Sequence, residues 1–166
     1  MKVTFKKEDH EIIPQRSYEG DIGFDLVAIS DPEIKGEKTD DRHYSEISYI
    51  EYDTGISFAP EDPFFALIYP RSSLSKYNLS FSNSVGVIDP GYRGTVKVRF
   101  RYIIQPKDMK VKYGKVFCLI DEDKIYKKGD KICQLIWATR NQPIYDFQDK
   151  LPMSERSIGG FGSSGN

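Results

Sequence analysis

Residues 95–102 read TVKVRFRY, a stretch in which apolar and basic side chains alternate. Val96, Val98 and Phe100 occupy every second position, which is the period of a strand with one buried face. The basic side chains between them predict a solvated opposite face, and an anion site is the alternative interpretation. The stretch therefore favours a half-buried β-strand.

Similar short runs recur along the chain and point to the same kind of fold. The chain contains 11 tyrosines and 10 phenylalanines, and both residue types favour strands over helices. The runs include FDLVAI, YSEISYIEY, FFALIY, KVFCLI and KICQLIWAT, with turn formers such as those at 53–55 and 89–91 between them. Many short strands separated by turn signals predict an all-β sandwich or barrel. One short helical turn is expected after Arg71, with Ser72 or Ser73 as its N-cap.

Length and charge limit the class of protein. A chain of 166 residues fits one domain, and a net charge of −1 gives no overall attraction to nucleic acid or to anionic membranes. No run approaches the roughly 18 apolar residues of a membrane-spanning helix, and the start MKVTFKKEDHEII lacks the apolar stretch of a signal peptide. We therefore expect a cytoplasmic protein without stable nucleic-acid binding and without a membrane partner.

The cysteines and histidines argue against two kinds of site. Cys118 and Cys133 both lie in apolar runs, so buried free thiols are expected rather than a disulfide or a metal pair. His10 and His43 lie in polar stretches. A zinc site and a Ser–His–Asp triad are therefore not expected.

The stretch VGVIDPGYRGTV, residues 85–96, places a carboxylate and a tyrosine on one turn. Pro90 presets the first central position and Gly91 permits a positive φ at the second, which predicts a type II turn. A hairpin turn without further role is one interpretation. The other is catalytic, because apolar residues precede Asp89 and would partly desolvate it, as suits a general base. Tyr92 projects from the same turn.

Three further polar groups adjoin apolar runs. Arg71 follows FFALIY and precedes two serines, which is a combination that either binds phosphate oxygens or forms an exposed helix start. Asp25 lies in GDIGFDL, where its carboxylate serves either the turn or a hydrated Mg²⁺. Gln134 lies within KICQLIW, and a polar residue in such a run needs a hydrogen-bond partner.

Two segments have open interpretations. The glycine- and serine-rich RSIGGFGSSGN, residues 156–166, is either a flexible end or a phosphate cradle in which backbone N–H groups and Arg156 face the ligand. Residues 104–128 carry seven lysines around Gly114 and predict an extra hairpin. That hairpin is either a surface decoration or a contact for a regulatory protein partner.

Five segments in order, GDIGFDL, PRSSLS, GVIDPGYRG, GDKICQLI and RSIGGFGSSG, resemble the five motifs of the trimeric dUTPase family. The resemblance implies a jelly-roll β-sandwich or barrel with one short helix, assembled as a homotrimer with shared active sites. It implies hydrolysis of dUTP to dUMP and pyrophosphate with Mg²⁺, which limits uracil incorporation into DNA and supplies dUMP for dTMP synthesis. A domain at 1–150 then carries a mobile C-terminal arm at 151–166.

The resemblance also implies roles for individual residues. Asp89 is the catalytic residue that activates water, Tyr92 packs under the deoxyribose and excludes a 2′-hydroxyl, and Asp25 holds Mg²⁺ through water. The uracil edge is read by the segment containing Asn83, Gly86, Val87 and Ile88. The phosphates are contacted by Arg71, Ser72, Ser73 and Gln134.

In the fifth motif, Arg156 is implied to reach the terminal phosphate and Phe161 to cover the uracil ring. The residues implied to wrap the phosphates are Gly160, Gly162, Ser163 and Ser164. The chain departs from the family pattern at Ile22, Ser73, Ser157 and Ser164. Its insertion before the fourth motif resembles that of some bacteriophage members, and a phage-encoded protein would lie in the host-cell cytoplasm.

Two rival functions remain. The segments IDPGY and RSSLS also resemble the dCTP deaminases, which share the fold but place a catalytic glutamate where this chain has Arg99. The second rival is a regulatory protein whose nucleotide-bound state controls a partner through residues 104–128. Assays of dUTP turnover and a deletion of that segment separate the alternatives.

Overall fold

The computed structural model describes residues 1–6, 13–40, 42–112 and 114–154. These residues form short antiparallel strands and 3-10 turns, with no α-helix among them. The strands are β1 Val3–Phe5, β2 Phe24–Val27, β3 Glu33–Lys38, β4 His43–Asp53, β5 Phe58–Pro60, β6 Phe64–Pro70, β7 Leu79–Phe81, β8 Gly86–Ile88, β9 Lys97–Tyr102, β10 Met109–Lys112, β11 Lys115–Leu119 and β12 Lys131–Thr139. The 3-10 helices are Ser72–Lys76, Pro106–Asp108 and Glu122–Lys124.

Two larger antiparallel sheets enclose one hydrophobic core. The first has the order β10-β11-β4-β9-β7, with β3 also paired to β4, and the second has the order β2-β12-β6-β8. A third, smaller sheet pairs β1 with β5. One buried cluster contains side chains of both larger sheets, among them Ile50 and Phe100 of the first and Leu26 and Leu135 of the second. The predicted all-β jelly-roll sandwich is confirmed.

Strand β9 has the predicted alternation of buried and exposed residues. It pairs with β4, and basic side chains on its exposed face form ion pairs with a glutamate of that strand. Lys97 Nζ lies 3.0 Å from Glu51 Oε1, and Arg99 Nε lies 2.7 Å from Glu51 Oε2. The Arg99 guanidinium also lies over the Tyr49 ring, 4.2 Å from its centroid. Burial raises the pKa of Glu51, but hydrogen bonds from Lys97 and Arg99 outweigh it and lower the pKa overall. The basic residues of this strand therefore serve a cross-strand ion-pair network.

The turn at residues 89–92 differs from its prediction in two ways. It is closed by a hydrogen bond from the Tyr92 N–H to the Asp89 carbonyl at 3.0 Å, but Gly91 does not have a positive φ. The turn is therefore not type II, because that type requires a positive φ at this position. Nor is it a hairpin turn, since β8 pairs with β6 in one sheet and β9 pairs with β4 and β7 in the other. The turn carries the chain from one sheet to the other.

The predicted helical turn after Arg71 is the 3-10 helix Ser72–Lys76, but its cap differs from the prediction. Arg71, with φ −84° and ψ 156°, is the N-cap residue, and no side chain caps the helix. The Leu74 N–H bonds to the Arg71 carbonyl at 3.0 Å, so the first turn begins at the arginine. The prediction that Ser72 or Ser73 is the N-cap is therefore wrong.

Residues 104–128 contain a hairpin and a part of the core. The hairpin is formed by β10 and β11, which join the edge of the first sheet through a short pairing of β11 with β4. Tyr126 is fully buried, with its ring centroid 6.1 Å from that of Tyr52 and 5.6 Å from that of Phe100. The Tyr52 hydroxyl donates to the Tyr126 carbonyl at 3.0 Å. The end of this lysine-rich range therefore packs inside the domain.

Both cysteines are free and buried, as predicted. Burial raises the pKa of each thiol, so neither Cys118 nor Cys133 is a ready thiolate. In the part of the chain that the structure describes, no helix is long and apolar enough to cross a membrane.

Candidate active site

Asp25 is the centre of a buried charge cluster made by three of the predicted motifs. It lies on β2, where its side chain is 5% exposed, and the Arg71 Nε atom lies 2.9 Å from its Oδ1. The Lys131 Nζ atom lies 2.8 Å from Oδ2, and the Ser17 hydroxyl donates to the same oxygen at 3.0 Å. The fold brings these groups together because β12 pairs with β2 on one side and with β6 on the other, and Arg71 directly follows β6.

The cluster carries more positive than negative charge. Burial raises the pKa of Asp25, but the hydrogen bonds from Lys131 and Ser17 and the charges of Arg71 and Lys131 lower it overall. Asp25 is therefore ionised at neutral pH. One carboxylate facing Arg71 and Lys131 leaves a surplus of positive charge, and such a surplus favours an anionic ligand.

Arg71 is held in one direction by this cluster. Its Nη1 atom lies 3.5 Å from both the Ser73 hydroxyl and the Lys131 carbonyl oxygen. Ser72 is exposed beside it at the start of the 3-10 helix. The structure thus places Arg71, Ser72 and Ser73 at one end of β6, next to Asp25.

Gln134 lies on β12, the strand that pairs with both β2 and β6 beside this cluster. It is opposite Asp25 on β2 and opposite Tyr69 on β6. A Cβ added at Gly23 would lie 3.1 Å from Gln134 Cδ and 3.2 Å from its Oε1, so the missing side chain of Gly23 gives Gln134 its room. The GDIGFDL segment contains this glycine, but only the strand register shows what it contacts.

Asp89 and Tyr92 lie on the turn that joins the sheets. The Tyr92 hydroxyl donates to the Thr95 carbonyl at 3.1 Å, and Arg93 Nη1 donates to the carbonyls of Pro90 at 2.5 Å and Tyr92 at 2.8 Å. Arg93 therefore fixes the turn from within. Asp89 is exposed, which contradicts the predicted partial desolvation, because the turn projects beyond the half-buried Ile88 that ends β8.

The segment before β8 contains a constrained turn. Ser84 has a φ of 57°, and the Val85 N–H lies 2.5 Å from the Asn83 carbonyl oxygen. Gly86 pairs with Ile68 on β6, and a Cβ there would lie 3.1 Å from Ile68 Cβ. Asn83 and Val87 are exposed beside this tight packing. A non-glycine residue at positive φ stores strain, and such residues are frequent at binding sites.

Within one chain, the described structure does not connect the Asp89 turn with the charge cluster around Asp25. Among residues 1–6, 13–40, 42–112 and 114–154, no hydrogen bond or ion pair links the turn bearing Asp89 to the cluster around Asp25. The predicted contacts of the fifth motif, Arg156 and residues 160–164, lie outside the described residues.

The acidic residues fit a hydrated metal ion better than a directly bound one. No group of three or more His, Cys, Asp or Glu side chains able to hold a metal occurs in the described ranges. A carboxylate has about four acceptor positions, and Asp25 uses its own for Arg71, Lys131 and Ser17. What remains suits a hydrogen bond from metal-bound water, and Mg²⁺ characteristically keeps several waters.

Sequence reasoning missed Lys131, Ser17 and Gly94. Lys131 and Ser17 hold Asp25, and a Cβ at Gly94 would overlap the Tyr92 hydroxyl. The glycine was visible within GYRG, but the lysine and serine gave no signal, because their contacts depend on strand register.

Comparison with known proteins identifies the family to which this chain is similar. The dUTPase family model matches residues 9–120. The deoxyuridine 5′-triphosphate nucleotidohydrolase of Rhodococcus erythropolis is 32% identical over 172 residues, covering 99% of this chain and 87% of that protein.

Two solved structures show the same fold. The dUTPase of Staphylococcus bacteriophage 80alpha with dUpNHpp has a TM-score of 0.66 at 20% identity, over 99% of this chain and 98% of that chain. A variant of the dUTPase from phage phi11 of S. aureus, described with a structural Mg(II) ion, has a TM-score of 0.62 at 17% identity, over 92% of this chain and all of that chain. With the family model matching most of its length and a relative above 30% identity across nearly all of it, this chain belongs to the dUTPase family.

Proposed function

We propose that this chain hydrolyses dUTP to dUMP and pyrophosphate with Mg²⁺, and so limits uracil incorporation into DNA and supplies dUMP. The observation that carries the proposal is that the site consists of two separate parts, one cationic and one with an exposed carboxylate. A rigid cluster with surplus positive charge suits a triphosphate, and a separate turn presents the exposed carboxylate of Asp89. Phosphoryl transfer consists largely of positioning and charge neutralisation, which these groups supply.

In the proposed reaction, Asp89 accepts a proton from a water molecule as its oxygen attacks the α-phosphorus. The bond between the α-phosphorus and the bridging oxygen breaks, and pyrophosphate leaves with that oxygen. An exposed carboxylate on a turn fixed by Arg93 is placed to serve as this base once substrate covers it.

The phosphate chain is assigned to Arg71, Ser72, Ser73 and Gln134. Arg71 is supported in this role by its fixed guanidinium, and Gln134 by its position opposite Asp25. Asp25 would hold Mg²⁺ through water with its remaining acceptor capacity, and the ion would supply neutralisation of phosphate charge.

The sugar and base are assigned to the segment around the Asp89 turn. Tyr92 packs under the deoxyribose and leaves no room for a 2′-hydroxyl. The uracil edge is read by the strained turn and the strand that follows it, at Asn83, Gly86, Val87 and Ile88. Buried backbone groups give strict base choice, because a mismatched base leaves them unpaired.

The arm is assigned to closure over bound nucleotide. Arg156 contacts the terminal phosphate and Phe161 covers the uracil, and the phosphate chain is wrapped by Gly160, Gly162, Ser163 and Ser164. The stretch before it is consistent with an arm that leaves its own domain, since Ile144 and Phe147 are more than 90% exposed.

We further propose a homotrimer with shared sites. This assembly lets the Asp89 turn of one chain face the Asp25 cluster of another, which accounts for the lack of a hydrogen bond or ion pair between them within the described parts of one chain. Cytoplasmic location remains a prediction from the sequence.

A partner at residues 104–128 is a second candidate role. The β10–β11 hairpin exposes Met109, Val111 and Val116 at the edge of the first sheet. The study of the 80alpha structure describes phage dUTPases that control the transfer of virulence genes. The exposed apolar side chains support a protein contact in addition to hydrolysis.

The deaminase alternative has less support. Arg99 occupies the position of the deaminase glutamate, and the neighbouring Glu51 is bound to both Lys97 and Arg99. Strand β9 itself contains no carboxylate, and Glu51 of β4 is already held by two ion pairs.

One assay tests these alternatives together. The purified protein is incubated with each dNTP, dUTP and UTP with Mg²⁺, and pyrophosphate and ammonia are measured. Pyrophosphate from dUTP alone is expected, while ammonia from dCTP would establish the deaminase. Deletion of the β10–β11 hairpin should leave turnover intact if that hairpin serves only a partner.

A further inference from the structure

Lys131 enters the charge cluster because of a local irregularity in β12. It follows Gly129, whose φ is 90°, and the pairing with β2 shifts register between Lys131 and Cys133. Bulges of this kind re-aim a side chain at the end of a strand. Here the redirected lysine reaches Asp25, which lies on the neighbouring strand.

The same residue contacts the cluster through two different groups. Its Nζ atom lies 2.8 Å from Asp25 Oδ2 and 3.2 Å from the Ser17 hydroxyl. Its carbonyl oxygen lies 3.5 Å from Arg71 Nη1. Lys131 therefore touches both the buried carboxylate and the arginine that this carboxylate orients.

The charge of Lys131 determines how strongly this cluster can attract an anionic ligand. With Lys131 present, Asp25 faces positive groups on both of its oxygens. Without it, Arg71 and Asp25 neutralise one another, and Asp25 is left with Ser17 alone on its second oxygen. Removing one partner of a buried charge leaves that charge incompletely compensated, so Asp25 would depend on Arg71 for its compensation and Arg71 would have less charge to offer a ligand.

We propose that Lys131 is a positioning residue of the phosphate site, which fixes Asp25 and Arg71 and supplies the surplus positive charge that the triphosphate needs. This inference rests on the proposed function. Lys131 lines a pocket of about 380 Å³ together with Asp25 and Lys128. The proposal gives Lys131 a role distinct from that of Lys128, which forms no ion pair with a described residue.

The test compares Lys131→Met, Lys131→Arg and the matched control Lys128→Met in the full-length protein. Calorimetry measures Kd for the non-hydrolysable dUpNHpp with Mg²⁺, and Kd for inorganic tripolyphosphate without metal. We expect Lys131→Met to weaken both by about 10- to 100-fold, the range for loss of a charged hydrogen-bond partner. Lys131→Arg and Lys128→Met should remain within about threefold of wild type, as for ordinary surface changes.

In steady-state kinetics, Lys131→Met should raise KM more than it lowers kcat, because positioning of the phosphates affects substrate binding. General damage to the fold would instead lower the active fraction of the protein and therefore kcat. Wild-type Kd values in Lys131→Met, or an equal loss in Lys128→Met, would overturn the proposal. If Lys131→Met does not fold, Lys131→Gln replaces it under the same criteria.

The two proposals fail in different ways. If wild type binds tripolyphosphate in a Lys131-dependent manner but does not hydrolyse dUTP, the proposed function is wrong and the role of Lys131 in anion binding stands. If wild type hydrolyses dUTP and Lys131→Met binds both ligands normally, the reverse holds.

Discussion

Tyr92 folds back over Gly94. The Tyr92 hydroxyl donates to the Thr95 carbonyl at 3.1 Å, and a Cβ added at Gly94 would overlap that hydroxyl. The missing side chain at Gly94 therefore sets the position of the ring that is proposed to exclude a 2′-hydroxyl.

Gly94→Ala should relax the discrimination between dUTP and UTP. The added methyl group displaces the Tyr92 ring, and a displaced ring no longer blocks the extra hydroxyl. We expect the ratio of kcat/KM values to fall by about 10-fold or more, the scale on which a pocket distinguishes one small group. Kinetics with both substrates measure it, with Tyr92→Ala as the reference. Unchanged selectivity in both variants would show that the sugar is recognised elsewhere.

Asp89→Asn should greatly slow hydrolysis and leave nucleotide binding intact. The amide keeps the shape of the side chain but cannot accept the proton of the attacking water. General-base assistance contributes about 10²- to 10⁴-fold in rate, so kcat should fall by that amount. Calorimetry with dUpNHpp should give a Kd near that of wild type. A variant that retains half the wild-type rate removes Asp89 from the mechanism.

The strands could be predicted from the sequence because their signal is local. In β9, Val98 and Phe100 are buried and Lys97 is exposed as the alternation indicates. The role of the Asp89 turn was harder to see. The residues Asp89-Pro90-Gly91 predict a turn, but nothing in them indicates that β8 and β9 belong to different sheets.

Contacts between distant residues escaped prediction for a related reason. Lys131 meets Asp25 through strand register and a bulge, and neither is visible in the run KGDKICQ. Tyr126 lies in a lysine-rich range that suggests a surface, yet its ring is buried against Tyr52 and Phe100. Composition describes the average of a segment, whereas packing selects single side chains.

Ser84 offers a test of strain in the proposed uracil site. Its φ of 57° costs a non-glycine residue about 1–2 kcal/mol. Ser84→Gly should therefore keep the turn and leave the free energy of unfolding equal or slightly higher, whereas Ser84→Val should lower it and weaken dUpNHpp binding. Urea unfolding and calorimetry measure the two effects. Equal stability of the glycine and valine variants would contradict a strained turn.

Glu51 should make stability depend on acid pH. Burial raises its pKa, but the bonds from Lys97 and Arg99 lower it below the ordinary value of 4.5. A carboxylate with a lowered folded-state pKa stabilises the fold above its unfolded pKa, and this contribution is lost as pH falls through the folded value.

Glu51→Gln should therefore lower the free energy of unfolding at pH 7 by about 1.5–3 kcal/mol, the range for hydrogen bonds to charged groups. The difference from wild type should shrink as pH falls below about 4. Urea unfolding at several pH values measures this. The exposed Glu46→Gln on the same strand is the control, and a constant Glu51→Gln deficit at every pH would exclude the linkage.

Removal of residues 155–166 should separate the fold from turnover. The last strand among the described residues ends at Thr139, and the described chain beyond it adds nothing to the buried core. Truncation after Ser154 should therefore leave the melting temperature and the oligomeric state nearly unchanged. Turnover should fall severely, because the deleted segment carries the proposed contacts of Arg156 and Phe161 with the nucleotide.

In the proposed function residues 156–164 close around the triphosphate, and fixing a backbone costs about 1–2 kcal/mol per residue, which contacts with the ligand must offset. Phe161→Ala should therefore give a milder loss than truncation, since stacking of an aromatic ring on a base contributes about 1–3 kcal/mol by itself. Proteolysis of the arm should slow when dUpNHpp and Mg²⁺ are added. Steady-state kinetics at matched protein concentration decide the matter: equal kcat/KM for the truncated and full-length proteins would show that this segment has no part in catalysis.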